Sequence, residues 1–314
     1  MRENRTLEYA AGQIASEIGT KAWRALLEEV YTTPKPGLVD LYSCGAHKDM
    51  DVHTFERSAD ALRPYFIRMA AQGYTLRCTP EELFREIRRT GIAAEQAMYR
   101  ATGGVNTHKG LIFTLGIFCA AAGRCRQEEL LKKNGVETDQ HERKCRENSR
   151  GHFNLSELIH MEQQMTAETL KRELIQIKEG CAVSHGEKNL QEYGSTGIRG
   201  EAILGYPSVV NLALPVLRQG VKENREWNRV KLQTLLVLMS RTWDSNILSR
   251  QNPETLYQVH REALELLKRG GAYTANAVEK LCSMDADYIK RNISAGGCAD
   301  LLATTIFLTM LLEG

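Results

Sequence analysis

Apolar residues recur along this chain at intervals of three and four, the spacing of a helix that buries one face. Residues 4–30 place Leu7, Ala11, Ile14, Ile18, Ala22, Ala25 and Leu26 on one stripe. Residues 54–72 repeat the pattern with Phe55, Ala59, Leu62, Phe66 and Met69, and Pro64 within that run predicts a kink. Thr79-Pro80-Glu81-Glu82 is a capping box with proline at the first helical position. The helix it opens carries Leu83, Ile87, Ala94 and Met98 and stops at Gly103-Gly104. Asn252-Pro253 opens another, closed by Gly270-Gly271. The same reasoning marks helices near 108–122, 166–179, 199–218, 227–242, 273–291 and 297–312. Sustained period-two alternation is missing, as are Asn-Gly hairpins between β-branched runs. The expected fold is all-α: one globular domain over 1–314, of roughly ten helices and no significant sheet. Residues 124–156 interrupt the pattern with charges of both signs and few aliphatics, and they read as a mobile polar insertion.

Composition narrows the class. A formal charge of +2 over 314 residues advertises neither nucleic acid nor a membrane surface, so an anion site must come from local clustering. The longest uncharged apolar runs, 110–123 and 301–312, are too short to span a bilayer. The amino-terminal stretch lacks a signal-peptide core, and the eight cysteines form no C-x-x-C pair, so reduced thiols in a cytoplasm are expected. Cys125, His141, Cys145 and His152 are too irregularly spaced for a convincing zinc site. Amphipathic helices cover a partner as well as a core, which leaves a homo-oligomer open.

Candidate chemistry gathers at glycine- and proline-rich segments beside apolar helices. Thr33-Pro34-Lys35-Pro36-Gly37-Leu38-Val39-Asp40 is a tight extended turn that presents Lys35 and Asp40. Gly45 to Asp51 offers Asp49 and Asp51 next to His47 and Lys48. Gly103-Gly104-Val105-Asn106-Thr107-His108-Lys109-Gly110 runs straight into a helix, an arrangement suited to an anion. Tyr193 to Glu201 is a second glycine-rich turn feeding a helix, with Arg199 and Glu201. Asp244, Asn246 and Arg250 follow a buried helix, and Asp300 falls in the first turn of the last one. Taken singly, these are ordinary loops and helix-start acids; together they describe an enzyme site for a phosphorylated substrate. Neither G-x-x-x-x-G-K-[ST] nor G-x-G-x-x-G nor H-E-x-x-H is present.

At these segments the sequence resembles the triphosphoribosyl-dephospho-CoA synthase family, which serves citrate lyase and has a close branch serving malonate decarboxylase. The matching stretches are TPKPGLVD (33–40), GAHKDMD (45–51), ATGGVNTHKG (101–110), YGSTGIRGEA (193–202), DSNILSR (244–250) and NISAGGCADLLA (292–303). The resemblance implies transfer of the triphosphoribosyl group of ATP to 3′-dephospho-CoA with release of adenine. The product is then loaded by a separate transferase onto the acyl-carrier subunit of the lyase. The opposite anomeric configurations of ATP and product imply inverting displacement, with no covalent nucleophile and no essential cysteine. The triphosphate calls for Mg²⁺, with Asp40, Asp49, Asp51 and Asp300 as metal candidates. Lys35, Lys48, Lys109, Arg199 and Arg250 are phosphate candidates, with Asn106 and Asn246 beside them. Glu201 or Asp244 is the candidate base, Asp49 a positioning acid, and His47 or His108 the donor to departing adenine. This chain departs from the family pattern where Gln251-Asn252 replaces an expected Gly-Gly, which argues against close backbone approach to substrate there. The rivals are the malonate decarboxylase pathway, an all-α metal-dependent nucleotide hydrolase and a helical nucleotide-binding regulator.

Overall fold

The computed structural model describes residues 2–135 and 153–313. Thirteen α-helices and no strand occur among the described residues, so the all-α expectation holds. In chain order they are α1 (Arg2–Val30), α2 (Val52–Thr75), α3 (Pro80–Thr102), α4 (Lys109–Gly135), α5 (Leu155–Glu179), α6 (His185–Tyr193) and α7 (Gly197–Ile203). A π-helical turn (Ser208–Ala213) leads into α8 (Leu214–Lys222), followed by α9 (Trp227–Met239), α10 (Ser245–Arg250) and α11 (Pro253–Lys268). A 3₁₀ turn (Gly271–Tyr273), α12 (Ala277–Lys290) and α13 (Gly296–Glu313) complete it.

Helix α2 is the hub and packs on α1, α3 and α4. Its crossings are close because glycines sit where the backbones meet: a Cβ on Gly73 would run into the Ala120 carbonyl, and one on Gly123 into that of Ala70. Pro64 lies within α2, which runs unbroken from Val52 to Thr75. Helix α13 is buried nearly all round and packs on α1, α4 and α9. It extends beyond the apolar run read from the sequence to 18 residues of mean hydropathy 1.4, enough by length and composition to cross a membrane. Its apolar surface is spent inside the protein, as expected of a core helix.

Three boundaries correct the sequence expectations. Residues 124–135 are not insertion but the continuation of α4, and buried Arg124 donates to the carbonyls of Gly73 (3.2 Å), Leu76 (2.9 Å) and Cys78 (2.8 Å) at the end of α2. Residues 155–165 belong to α5, capped by Asn154, which accepts from the Ser156 amide at 2.9 Å. Residues 136–152 of the insertion, with His141, Cys145 and His152 of the zinc alternative, lie outside the described residues. The helix expected over 199–218 is broken. Pro207 disfavours an α conformation at the residue before it, and Gly205 and Tyr206 take φ of 73° and 56°.

Candidate active site

One cleft of ≈ 1090 Å³ collects most of the chemistry-bearing segments. The N-terminal turns of five helices line it: α4 with Lys109 and Gly110, α6 with His185 to Lys188, α7 with Gly197 to Gly200, α10 with Ser245 and Asn246, and α13 with Gly297 and Asp300. Helix starts leave backbone N–H groups unpaired and carry partial positive charge, chiefly in long helices such as α4 and α13. The local sequence explains the convergence. Gly194 caps α6 at φ 69°, reversing the chain into α7, and Asp244 caps α10 through the amides of Asn246 (2.8 Å) and Ile247 (3.1 Å). The second oxygen of Asp244 accepts the Cys298 amide at 2.8 Å and so pins α13 to α10.

Two carboxylates face the cleft in different states. Glu201 accepts from the Ser208 hydroxyl (2.6 Å) and amide (3.1 Å), and burial raises its pKa. The Asp300 carboxylate accepts no hydrogen bond among the described residues. Burial, with the negative charges of Glu29 and Asp244 nearby, pushes its pKa well up. A Cβ on Gly110 would strike its Oδ2, so the glycine at the start of α4 gives that carboxylate its place. Ser195 and Thr242 line the same space; the Ser195 hydroxyl is buried and unpartnered among the described residues, and that of Thr242 faces the Cys298 thiol. Asn106 and Lys109 close this end, with Lys109 paired to Glu95 at 2.6 Å.

The first two segments do not line the cleft. Lys35 is buried and paired with Glu29. Asp40 accepts the amides of Lys35 (2.8 Å), Tyr42 (2.8 Å) and Ser43 (2.9 Å), which fixes its own turn. Asp51 caps α2, and Lys48 and Asp49 are exposed outside the cleft. Arg250 donates to the Ala46 carbonyl (3.1 Å), Asn292 (3.2 Å) and His47 (3.1 Å), and His47 in turn bonds Ser294 (3.1 Å). These contacts tie the 45–51 loop to the entry of α13. Burial and the Arg250 charge lower the His47 pKa to about 4. Burial and Lys35 lower that of His108 to about 3, with its Nδ1 on the Ser58 hydroxyl at 2.7 Å. Both rings are neutral at pH 7, and neither lines the cleft. Gln251-Asn252 is accounted for locally: Gln251 donates to the carbonyls of Arg291 (3.0 Å) and Asn292 (3.2 Å), and Asn252 caps α11. Sequence reading missed Arg88 and Thr242, which carry no motif of their own, and the whole of α6, although Ser184-x-x-Glu187 is a legible capping box.

An all-helical protein that aims helix starts, cationic side chains and unpaired carboxylates into one cleft is built to handle a polyphosphorylated substrate. Comparison with known proteins makes this particular. Residues 15–314 match the family described as CitG, ATP:dephospho-CoA triphosphoribosyl transferase, and the chain belongs to that family. It is 39% identical over 299 residues to a probable 2-(5″-triphosphoribosyl)-3′-dephosphocoenzyme-A synthase of Citrobacter koseri, covering 92% of this chain and 89% of the relative. Proteins with the same description are 38% identical in Salmonella typhimurium (98% and 94% covered) and 36% identical in Photobacterium profundum (94% and 88% covered). No solved structure matches.

Proposed function

We propose that this cleft transfers the triphosphoribosyl group of ATP to the 2′-hydroxyl of 3′-dephospho-CoA and releases adenine. The observation that carries the reading is the meeting of Lys109, the α4 and α13 N-terminal turns, Glu201 and Asp300 in one cleft. The triphosphate lies against those helix starts with Lys109, Asn106 and Asn246, where N–H groups and a cation meet its charge. Breaking the bond between ribose and adenine builds positive charge on C1′, and the carboxylates of Asp244 and Asp300 stabilise it. Glu201, whose pKa burial raises and which is thereby a stronger base than a free carboxylate, takes the proton of the acceptor hydroxyl as the new bond to C1′ forms. Displacement is direct, so no covalent nucleophile is required. Cys119 and Cys298 are buried with raised pKa values, and no cysteine lines the cleft among the described residues.

Mg²⁺ suits this end of the cleft in its donor chemistry. It takes one or two carboxylates together with substrate phosphates; Asp300 offers a free carboxylate, whereas Asp40 and Asp51 are committed to backbone amides. No group of three acid, histidine or cysteine ligands is assembled among the described residues. Asp300 would therefore hold the ion, which supplies charge neutralisation on the triphosphate. The product would pass to the transferase that loads the acyl-carrier subunit of citrate lyase, in a reducing compartment that suits eight cysteines with no C-x-x-C pair.

The test is incubation of the purified protein with ATP, Mg²⁺ and 3′-dephospho-CoA, with chromatography of bases and mass analysis of the CoA product. Free adenine and an adduct heavier by one triphosphoribosyl unit are expected. ADP or AMP without adenine would overturn the reading in favour of a hydrolase.

A further inference from the structure

The polar groups above fill only one end of the cleft. Its long wall is a face of α3 on which Phe84, Ile87, Gly91, Glu95 and Tyr99 recur at helical spacing. At 1.5 Å per residue, Phe84 to Tyr99 spans about 22 Å. The Tyr99 end carries the Glu95–Lys109 pair. Elsewhere the lining turns apolar and open: Ile92 is 61% exposed, Leu204 68% and Val183 89%. Large apolar side chains left this open in a single cleft mark a ligand surface. On α5, Glu173 holds two guanidiniums of the lining, Arg88 of α3 and Arg199 of α7, the latter at 3.9 Å. Paired guanidiniums suit a diphosphate.

We propose that this part of the cleft binds the acceptor, with its diphosphate on Arg88 and Arg199 and its pantetheine arm along Ile92, Val183 and Leu204. The assignment rests on the function proposed above. ATP has no use for an open apolar wall, whereas dephospho-CoA carries a long amide arm beyond its diphosphate. Glu201 lies two residues from Arg199 on the same short helix, α7, so a diphosphate on Arg199 keeps the adjoining ribose near the proposed base.

The test is the double substitution Ile92→Ser with Leu204→Ser, both at exposed positions that the core does not need. KM for dephospho-CoA should rise about tenfold through lost apolar contact, while KM for ATP stays within twofold. In the wild type, 4′-phosphopantetheine should compete with dephospho-CoA and not with ATP, and the double variant should weaken that inhibition. An unchanged acceptor KM, or an equal rise in KM for ATP, overturns the assignment while adenine release by the wild type leaves the function standing. A wild type that releases no adenine from ATP and dephospho-CoA overturns the function itself, and the assignment with it.

Discussion

Glu162 sits on α5 with its side chain fully buried, and replacing it with glutamine gives a sharp test of the electrostatics behind the cleft. One carboxyl oxygen accepts from the Thr166 hydroxyl at 2.9 Å, and the other has no partner among the described residues. The nearby hydroxyls of Tyr206 and Thr114 are buried too, and they face each other. Burial raises the Glu162 pKa from 4.5 to about 8, so the folded protein holds a neutral acid at pH 7. A folded pKa above the unfolded one means that the stabilisation is complete below pH 4.5 and is lost as pH rises through 8. The slope is about 1.4 kcal/mol per pH unit, and the total over that window is about 4–5 kcal/mol. Glutamine matches the shape of the neutral acid and removes the titration. Guanidinium unfolding followed by circular dichroism at intervals from pH 5 to 8.5 should show near-equal stabilities at the acid end. By pH 8.5, Glu162→Gln should be the more stable by several kcal/mol. Stability curves that run parallel across the range would refute the argument, because every other titrating group is common to both proteins.

Asp300→Asn should lower turnover by at least about a hundredfold while raising stability toward alkaline pH, where ionising a carboxyl buried beside Glu29 and Asp244 costs most; thermal melts at several pH values beside the adenine assay check both halves. Lys35→Met leaves Glu29 buried without its cation and should cost about 3–5 kcal/mol, most of it recovered by adding Glu29→Gln. For the histidines the sign runs the other way: His47 at about 4 and His108 at about 3 lie below the ordinary 6.5. Stability from these rings is complete above 6.5 and falls on acidification toward those values. The neutral limb of a kcat–pH profile should accordingly be unchanged in His108→Gln, and a lost limb near 6.5 would return that ring to the proton-transfer role.

Helical periodicity, capping boxes and glycine stops made most of the fold legible, because α1, α2, α3 and α11 each bury one stripe whose spacing survives in the sequence. The readings failed where a polar side chain does the work of an apolar one. Arg124 looks like the start of a solvated insertion, yet it caps α2 through three carbonyls from inside the protein. Residues 199–218 keep helical spacing across a break that only Gly205-Tyr206-Pro207 reveals. For the site, composition flagged the right segments but could not separate those that touch a ligand from those that hold them. Lys35 and Lys109 both follow turn residues, and only the packing shows one buried against Glu29 and the other at the cleft. Arg88 is one arginine among several on α3 and becomes distinctive only because Glu173 pairs it with Arg199.

The segments that stay out of the cleft have a part in it through charge. Burial, with Glu29 and Asp244 nearby, raises the cost of ionising Asp300, and Lys35 is the cation buried against Glu29. Turning TPKPGLVD inward therefore neutralises Glu29 and leaves Asp300 without a protein counter-charge. Arg250 and His47 hold the α13 entry that presents Asp300, so this deficit of positive charge sits at a fixed place. Such a place stabilises whatever cation arrives there, whether a metal on the triphosphate or the ribosyl centre as its bond to adenine breaks. Because the carboxylates are already oriented, the reaction spends nothing on turning them. Stability lost in holding Asp300 there reappears as binding that strengthens only while positive charge is present.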